Sequence, residues 1–289
     1  MALYLLYRIG QFIVKVLPLN GAYRIAEILA LIRYYLSKPD REIISKNLTV
    51  VLKAKGEVVT KERLRCLSRQ VYKNFGKYLV EFFKFSKIDK QFIDRKVIIE
   101  NIDKLDKLLS EGRGVICVSA HLGNWELGAA IVSSLGYSLN AIALPHSTKL
   151  VSHFFDKSRT DRDIRVIPLG MAIRRCFKAL RKNEIVSFLG DKDFSGGGIK
   201  VRFMDRETSM PKGPAVISLK MRAPIIFAFL VRQKNNNFRL FFENPIYPIQ
   251  SQDEEDAVRI ITQRCVEVIE RYIKDYPAQW LMFRKIWNS

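Results

Sequence analysis

Residues 114–126, Gly-Val-Ile-Cys-Val-Ser-Ala-His-Leu-Gly-Asn-Trp-Glu, constrain the fold more than any other stretch of the chain. A short apolar run from Val115 to Ala120 stops at His121, Gly123 and Asn124 break the strand pattern, and a helical pattern follows with Glu126 in its first turn. A buried strand that ends on a polar residue and turns into a helix places that residue where open α/β sheets form their ligand crevices. Five steps along a regular helix rotate roughly 140°, so His121 and Glu126 cannot face one cleft from a single helix. With His121 in the turn and Glu126 in the helix they can meet. A carboxylate there would accept from one imidazole nitrogen, fix the tautomer and leave the other nitrogen basic toward a hydroxyl. The competing reading is a hydrogen-bonded structural histidine, and an isolated His-x4-acid spacing does not exclude it.

The segments after Ile102 repeat the alternation. A helix is expected over Ile102–Leu109, the strand at Val115, a helix over Asn124–Leu135 and a strand over Leu139–Leu144. Helix Lys149–Asp161, strand Ile164–Ile167, a helix over 171–182 and strand Ile185–Leu189 follow, leading into Asp191-Lys192-Asp193. This is the pattern of an α/β layer fold with a mixed, largely parallel sheet flanked by helices. Ser133, Ser134, Gly136 and Pro145 interrupt the long uncharged run from Leu127 to Thr148, so it is not a membrane span. Pro211-Lys212-Gly213-Pro214 opens a further helix, Pro224–Val231 is an apolar strand, and residues 253–275 form a last amphipathic helix with acidic residues in its first turn, as the helix dipole favours. The expected organisation is an N-terminal helical, membrane-associating region over 1–100 and an α/β core over 101–289.

Residues 1–36 are apolar and aromatic, but Arg8, Lys15, Arg24 and Arg33 leave no uncharged stretch of the ~20 residues a spanning helix needs. Residues 2–17 lack the small-residue cleavage pattern of a secretory signal. Leu5, Ile9, Phe12, Ile13 and Leu17 recur at helical spacing. They describe equally a helix lying in a membrane interface and an ordinary core helix. Residues 37–59 read as a helix and loop, with Pro39-Asp40 as the start signal and Gly56 as the stop; Thr60 then caps a long helix whose stripe runs from Leu64 to Phe82.

With 49 basic and 29 acidic residues the chain carries +20, a field that attracts nucleic acid, an anionic membrane, a phosphorylated substrate or an acidic carrier protein. No helix-turn-helix, zinc-finger or aromatic-strand motif supports nucleic acid. The helix over 171–182 sets Arg174, Arg175, Lys178, Arg181 and Lys182 opposite an apolar face of Ile173, Cys176, Phe177 and Leu180, a plausible docking surface. Cys66, Cys117, Cys176 and Cys265 are isolated, as in a reducing compartment. His121, His146 and His153 have no metal-ligand spacing, so neither a metal nor another cofactor is expected.

His121-Leu-Gly-Asn-Trp-Glu126, the Arg159 segment leading into Val166-Ile-Pro168, Asp191-Lys-Asp193, Val201-Arg-Phe203, Pro211-Lys-Gly-Pro-Ala215, Ala223-Pro224 and Pro277-Ala-Gln-Trp-Leu281 occur in one order. As an ordered set they resemble the late (lauroyl and myristoyl) acyltransferases of lipid A biosynthesis and related bacterial glycolipid acyltransferases. The resemblance covers the chain from about residue 40 to its end. It departs at Met282–Trp287, where the family's tail carries a histidine, and around Phe203-Met204-Asp205. It implies acyl transfer from a thioester, on acyl carrier protein or coenzyme A, to a hydroxyl of a membrane glycolipid at the cytoplasmic face of the bacterial inner membrane. It also implies His121 as base and Glu126 as its acid, with Asn124, Arg159, Asp191, Lys212 and Gly213 as substrate-binding or supporting positions. Backbone N–H groups around Asn124 are the expected oxyanion donors.

Overall fold

A computed structural model describes residues 2–84, 89–144, 148–169 and 172–287; Pro145, His146 and position 171 of the expected basic helix lie outside them. Four helices come first: α1 (Ala2–Val16), α2 (Leu19–Leu36), α3 (Lys38–Ala54) and α4 (Lys61–Lys84). A short α5 (Lys90–Lys96) leads into β1 (Val97–Glu100), α6 (Asp103–Ser110), β2 (Val115–Ser119), α7 (Trp125–Ser134), β3 (Leu139–Ala143), α8 (Lys149–Thr160), β4 (Ile164–Pro168), α9 (Ala172–Arg181) and β5 (Ile185–Leu189). Then come β6 (Ile199–Phe203), β7 (Arg206–Met210), α10 (Gly213–Met221), β8 (Ile225–Arg232), β9 (Phe238–Phe242) and α11 (Glu254–Asp275).

Seven strands form one sheet in the order β1-β9-β8-β2-β5-β3-β4. Every neighbouring pair is parallel except β8 and β9. The mixed, mostly parallel sheet read from the sequence is therefore present. Its one antiparallel junction comes from β9, an element too short and too close to β8 to stand out in the sequence. β1 was also not foreseen; it joins the sheet edge beside β9. β6 and β7 form a separate hairpin whose two-residue loop, Met204-Asp205, has positive φ at both positions (52° and 60°). That is the backbone of a tight hairpin turn, which usually announces itself as Asn-Gly.

Central β2 is buried along its whole length, and the period-2 alternation of a strand divides its side chains between two cores. Val115 and Cys117 pack with Leu105 and Leu108 of α6 and Leu127 and Ile131 of α7. Ile116 and Val118 pack with Leu180 of α9, Ile217 of α10 and Ile261 of α11. On α9 the five expected cations are exposed and Cys176 and Leu180 are buried, but Ile173 is 59% exposed and does not belong to the apolar face.

α1 turns its two half-buried tyrosines and Val14 inward and leaves most of its other apolar side chains exposed. Tyr4 and Tyr7 pack with Phe83, Phe154 and Phe155, while Leu5, Ile9, Phe12 and Ile13 are 42–70% exposed. The same holds on α2 for Ile25, Ile28, Leu29, Ile32 and Leu36. Among the described residues no helix is long and apolar enough to cross a membrane.

A buried carboxylate ties these helices to the sheet. Glu81 of α4, 1% exposed, accepts from Tyr23 of α2 at 2.6 Å and from Asn124 Nδ2 at 2.6 Å, and pairs with Arg232 at the end of β8. Glu81→Ala would leave the Arg232 guanidinium buried without its counter-charge, which typically costs ~3–5 kcal/mol. Urea unfolding is expected to show a loss of that size, and a loss below ~1 kcal/mol would mean that water replaces the pair.

Candidate active site

The site follows from the register of β2 against β5. Val115 pairs with Ile185 and Ser119 with Leu189 in parallel. Two residues beyond the last pair, the chains emerge side by side as His121 and Asp191. Side-chain parity also carries through, so His121 lies on the same side of the sheet as Cys117 and Ser119, facing α7. The His121 amide donates to Asp191 Oδ2 at 3.0 Å, and the ring Nδ1 lies 2.8 Å from Oδ1. The Trp280 indole N–H also donates to Oδ2, at 2.8 Å. Asp191 is fully buried. Burial alone would raise its pKa, but the imidazole, the indole and the His121 amide outweigh it and hold the carboxyl below its ordinary range. An ionised carboxylate can only accept, so Nδ1 is the nitrogen that carries the hydrogen in this contact, and the neutral ring that fits it has its lone pair on Nε2.

The turn between β2 and α7 is held from three sides. Leu281 N donates to the His121 carbonyl at 2.7 Å, Gly123 N to Gln279 O at 2.9 Å, and Asn124 N to Leu230 O at 3.0 Å. Gly123 has φ +63°, and a Cβ there would lie 1.9 Å from the Leu230 carbonyl oxygen; no other residue fits. Asn124 caps α7, its Oδ1 accepting from Leu127 N at 3.0 Å while Nδ2 is bound to Glu81.

Two expectations are corrected here. The carboxylate that engages the imidazole Nδ1 is Asp191, supplied by the neighbouring strand, and not Glu126, one turn into the following helix. Glu126 is held by Arg159 of α8, with Nη2–Oε1 at 2.6 Å and Nε–Oε2 at 3.1 Å. Arg159 also reaches Asp156 at 3.2 Å; burial works against its charge, but Glu126 outweighs it and raises the guanidinium pKa. Asn124 is a buried cap at both polar ends, which removes its side chain from contact with substrate. The Gly123 and Asn124 amides are engaged by backbone carbonyls.

A cleft of about 480 Å³ opens between α7 and the sheet, with His121, Glu126, Arg159, Lys212 and Gly213 all on its wall. Its interior is apolar and made of small or aliphatic side chains, among them Cys117, Gly128, Ala129, Val132, Ala228 and Leu240. Trp125 and Phe194 meet the imidazole edge-on, with centroids 5.0 and 6.0 Å away. Cys117 cannot serve as a nucleophile: burial pushes its thiol up to about 12. Sequence reading missed the roles of Trp125, Phe194 and Trp280: the first two sit four and three residues from His121 and Asp191, but an aromatic at such a spacing reads equally as core, and Trp280 reaches Asp191 only through the fold.

The model of the bacterial lipid A biosynthesis acyltransferase family matches residues 1–289. The chain belongs to that family. It is an acyltransferase. It is 27% identical over 267 residues to phosphatidylinositol mannoside acyltransferase of Mycobacterium tuberculosis, covering 88% of this chain and 79% of the relative. The enzyme of the same name from Mycolicibacterium smegmatis is 25% identical over 230 residues, covering 76% and 72%. Lipid A biosynthesis palmitoleoyltransferase of Escherichia coli is 26% identical over 224 residues, covering 74% and 69%.

In this acyltransferase an Asp191→Asn variant is expected to keep its fold and lose ~10³–10⁴-fold in turnover, because an amide neither fixes the Nδ1–H tautomer nor stabilises the imidazolium. A loss of less than about tenfold would remove Asp191 from the site. Trp280→Phe takes one donor from the ionised carboxylate. The folded-state pKa of Asp191 is lowered, so its contribution to stability is full above the ordinary carboxyl value of 3.8 and is lost as pH falls through the folded value. The stability gap between parent and Trp280→Phe, followed by circular dichroism in urea, should therefore narrow on acidification below that range.

Proposed function

We propose that the chain is a membrane-surface O-acyltransferase that moves a fatty acyl group from acyl carrier protein to a hydroxyl of a glycolipid, with His121 as general base. The observation that carries this reading is the His121–Asp191 pair at the mouth of an apolar cleft whose size suits a lipid chain. With the acyl chain in the cleft, the thioester carbonyl lies at the mouth. His121 Nε2 takes the proton of the acceptor hydroxyl as its oxygen attacks the carbonyl carbon. The imidazolium is stabilised by Asp191 across Nδ1. Collapse of the tetrahedral intermediate breaks the C–S bond, and the departing sulfur takes the proton from Nε2, so no acyl-enzyme forms. Trp125 and Phe194 shield the ring from water.

The relatives' names include two glycolipid classes, phosphatidylinositol mannosides and lipid A, and similar identities to both support a phosphorylated glycolipid acceptor without choosing between them. The charge of +20 favours an acidic carrier protein as donor. The exposed aliphatic stripes of α1 and α2 support placement on the cytoplasmic face of the inner membrane. Each half-exposed side chain that enters the interface contributes on the order of 1 kcal/mol, and Arg8, Lys15, Arg24 and Arg33 on the same helices suit anionic headgroups.

The test is a transfer assay with acyl carrier protein or coenzyme A thioesters as donors, and phosphatidylinositol mannoside or a lipid A precursor as acceptor, read by lipid mass. Gain of one acyl chain from the carrier-protein donor, lost in His121→Ala, is the expected result; a fully active His121→Ala variant defeats it. Ala129→Leu fills part of the cleft without entering the core. Each methylene it excludes costs about 0.8 kcal/mol, roughly fourfold, so the variant should turn over shorter acyl donors in preference to longer ones.

A further inference from the structure

On the helical layer, α4 carries Lys61, Arg65, Arg69 and Lys73 four residues apart, a spacing that aligns them along one face, where like charges repel. With Leu31 and Tyr35 of α2 that face walls a groove of about 570 Å³. Among the described residues Glu62 is the one carboxylate on its wall. Glu27, beyond its end, is bound by Lys73 at 3.5 Å and Lys77 at 2.8 Å. Among the described residues no carboxylate pairs with Lys61, Arg65 or Arg69. Arg69 is nevertheless held in place. Its guanidinium lies 5.8 Å from the Tyr34 ring centroid and 5.4 Å from that of Tyr35, and Nη2 donates to the Tyr35 hydroxyl. Its Nε is buried without a hydrogen-bond partner. The groove opens onto apolar surface, since Tyr35 is 59%, Ile32 49% and Leu36 79% exposed. Its floor is the first half of α4.

We propose that this groove is a binding site for an anionic membrane phospholipid, distinct from the acyl-transfer cleft. The phosphodiester sits among Arg65, Arg69 and Lys73, and the lipid tails run along Ile32, Tyr35 and Leu36. Fixed cations, an unsatisfied donor and a contiguous apolar rim match the two halves of such a lipid. A bound phospholipid here would orient the chain on the bilayer through a contact the reaction does not use. The proposal rests on the membrane placement above, but the two fail separately.

Cys66 lines the groove and is exposed, whereas Cys117, Cys176 and Cys265 are buried, so alkylation of Cys66, read by intact mass, reports occupancy. The full chain is compared on vesicles of phosphatidylcholine alone and of phosphatidylcholine mixed with phosphatidylglycerol, and with free glycerol phosphate. Co-sedimentation with neutral vesicles tests the membrane placement by itself. The proposal expects phosphatidylglycerol to slow Cys66 alkylation about tenfold relative to phosphatidylcholine, with little effect of glycerol phosphate. The ratio should collapse in Lys61→Gln/Arg65→Gln, two exposed residues, and persist in Arg174→Gln/Lys178→Gln, which removes equal charge from α9. Equal loss in both variants would reduce the effect to net charge. Protection by glycerol phosphate alone would make the groove a simple anion site, and absence of protection by phosphatidylglycerol would leave it empty; each overturns the proposal.

Discussion

The buried charge of Asp191 is the constraint around which the site is assembled. A carboxylate with no exposed surface is tolerated only when donors replace its water. Here three donors come from two distant parts of the chain: the amide and ring of His121 after β2, and the indole of Trp280 beyond α11. The tail does more than supply the indole. Trp280 bridges to Leu122, and Leu281 N binds the His121 carbonyl, so the last segment straps the turn that carries the imidazole. Further along, Trp287 is buried and donates to Thr208 of β7 at 2.9 Å, and Lys192 donates to the Lys285 carbonyl at 2.7 Å. The imidazole is thus held by the sheet register on one side and by the C-terminal tail on the other, and a ring fixed at both ends needs little reorganisation when it accepts a proton.

A second buried carboxylate, Glu81, links this site to the helices that face outward. It binds Asn124, the cap that starts α7, as well as Tyr23 of α2 and Arg232 of β8. The same α7 forms one wall of the apolar cleft, and α2 carries one of the two exposed aliphatic stripes. The contact fixes where the cleft stands relative to the surface proposed to meet the bilayer. The core clusters show the same interlocking: Val50 and Val51 of α3 pack with β2 and α11, while Leu281 packs with α3 and α4. For a lipid-handling enzyme a rigid connection between membrane-facing helices and the cleft mouth matters, because an acceptor anchored in the bilayer can reach only a fixed height above it.

Much of this was legible in the sequence, and what was not has a definite physical reason. The strand–turn–helix at 115–134, the alternation through Leu189 and the position of His121 at the end of a buried strand all follow from local periodicity. The partner of His121 does not. Local spacing points to Glu126, five residues on, whereas the pairing is decided by which strand lies beside β2, and β5 arrives only after β3 and β4 have been laid down beyond it. No pattern within a single segment carries that information. The hairpin turn at Met204-Asp205 was hidden because Asp205 is preceded by Met and not followed by Gly, so the pair lacks the usual Asn-Gly or Asp-Gly signature. The stripe on α1 was ambiguous for another reason: amphipathic periodicity shows that two faces differ but not which is covered. In the folded chain the aromatic face of α1 is taken by Phe83, Phe154 and Phe155, and the aliphatic face is the one left outside.

The ion pair of Glu126 and Arg159 bears on how a phosphorylated acceptor would be held. Resemblance placed Arg159 among the substrate-binding or supporting positions, and its Nε, Nη1 and Nη2 all donate to carboxylates. A phosphate would have to compete with the buried Glu126 carboxylate for this guanidinium. The pair is better suited to giving the cleft wall a charged but internally neutral brace beside the imidazole. Among the described residues, the cations on the cleft wall besides Arg159 are Lys192 and Lys212. Lys192 already donates to a backbone carbonyl, and burial lowers its pKa. Lys212 stands at the start of α10, where the helix dipole also favours negative charge. A headgroup phosphate approaching the mouth would meet Lys212 across the cleft from His121, which would leave the sugar hydroxyl, rather than the phosphate, facing the base.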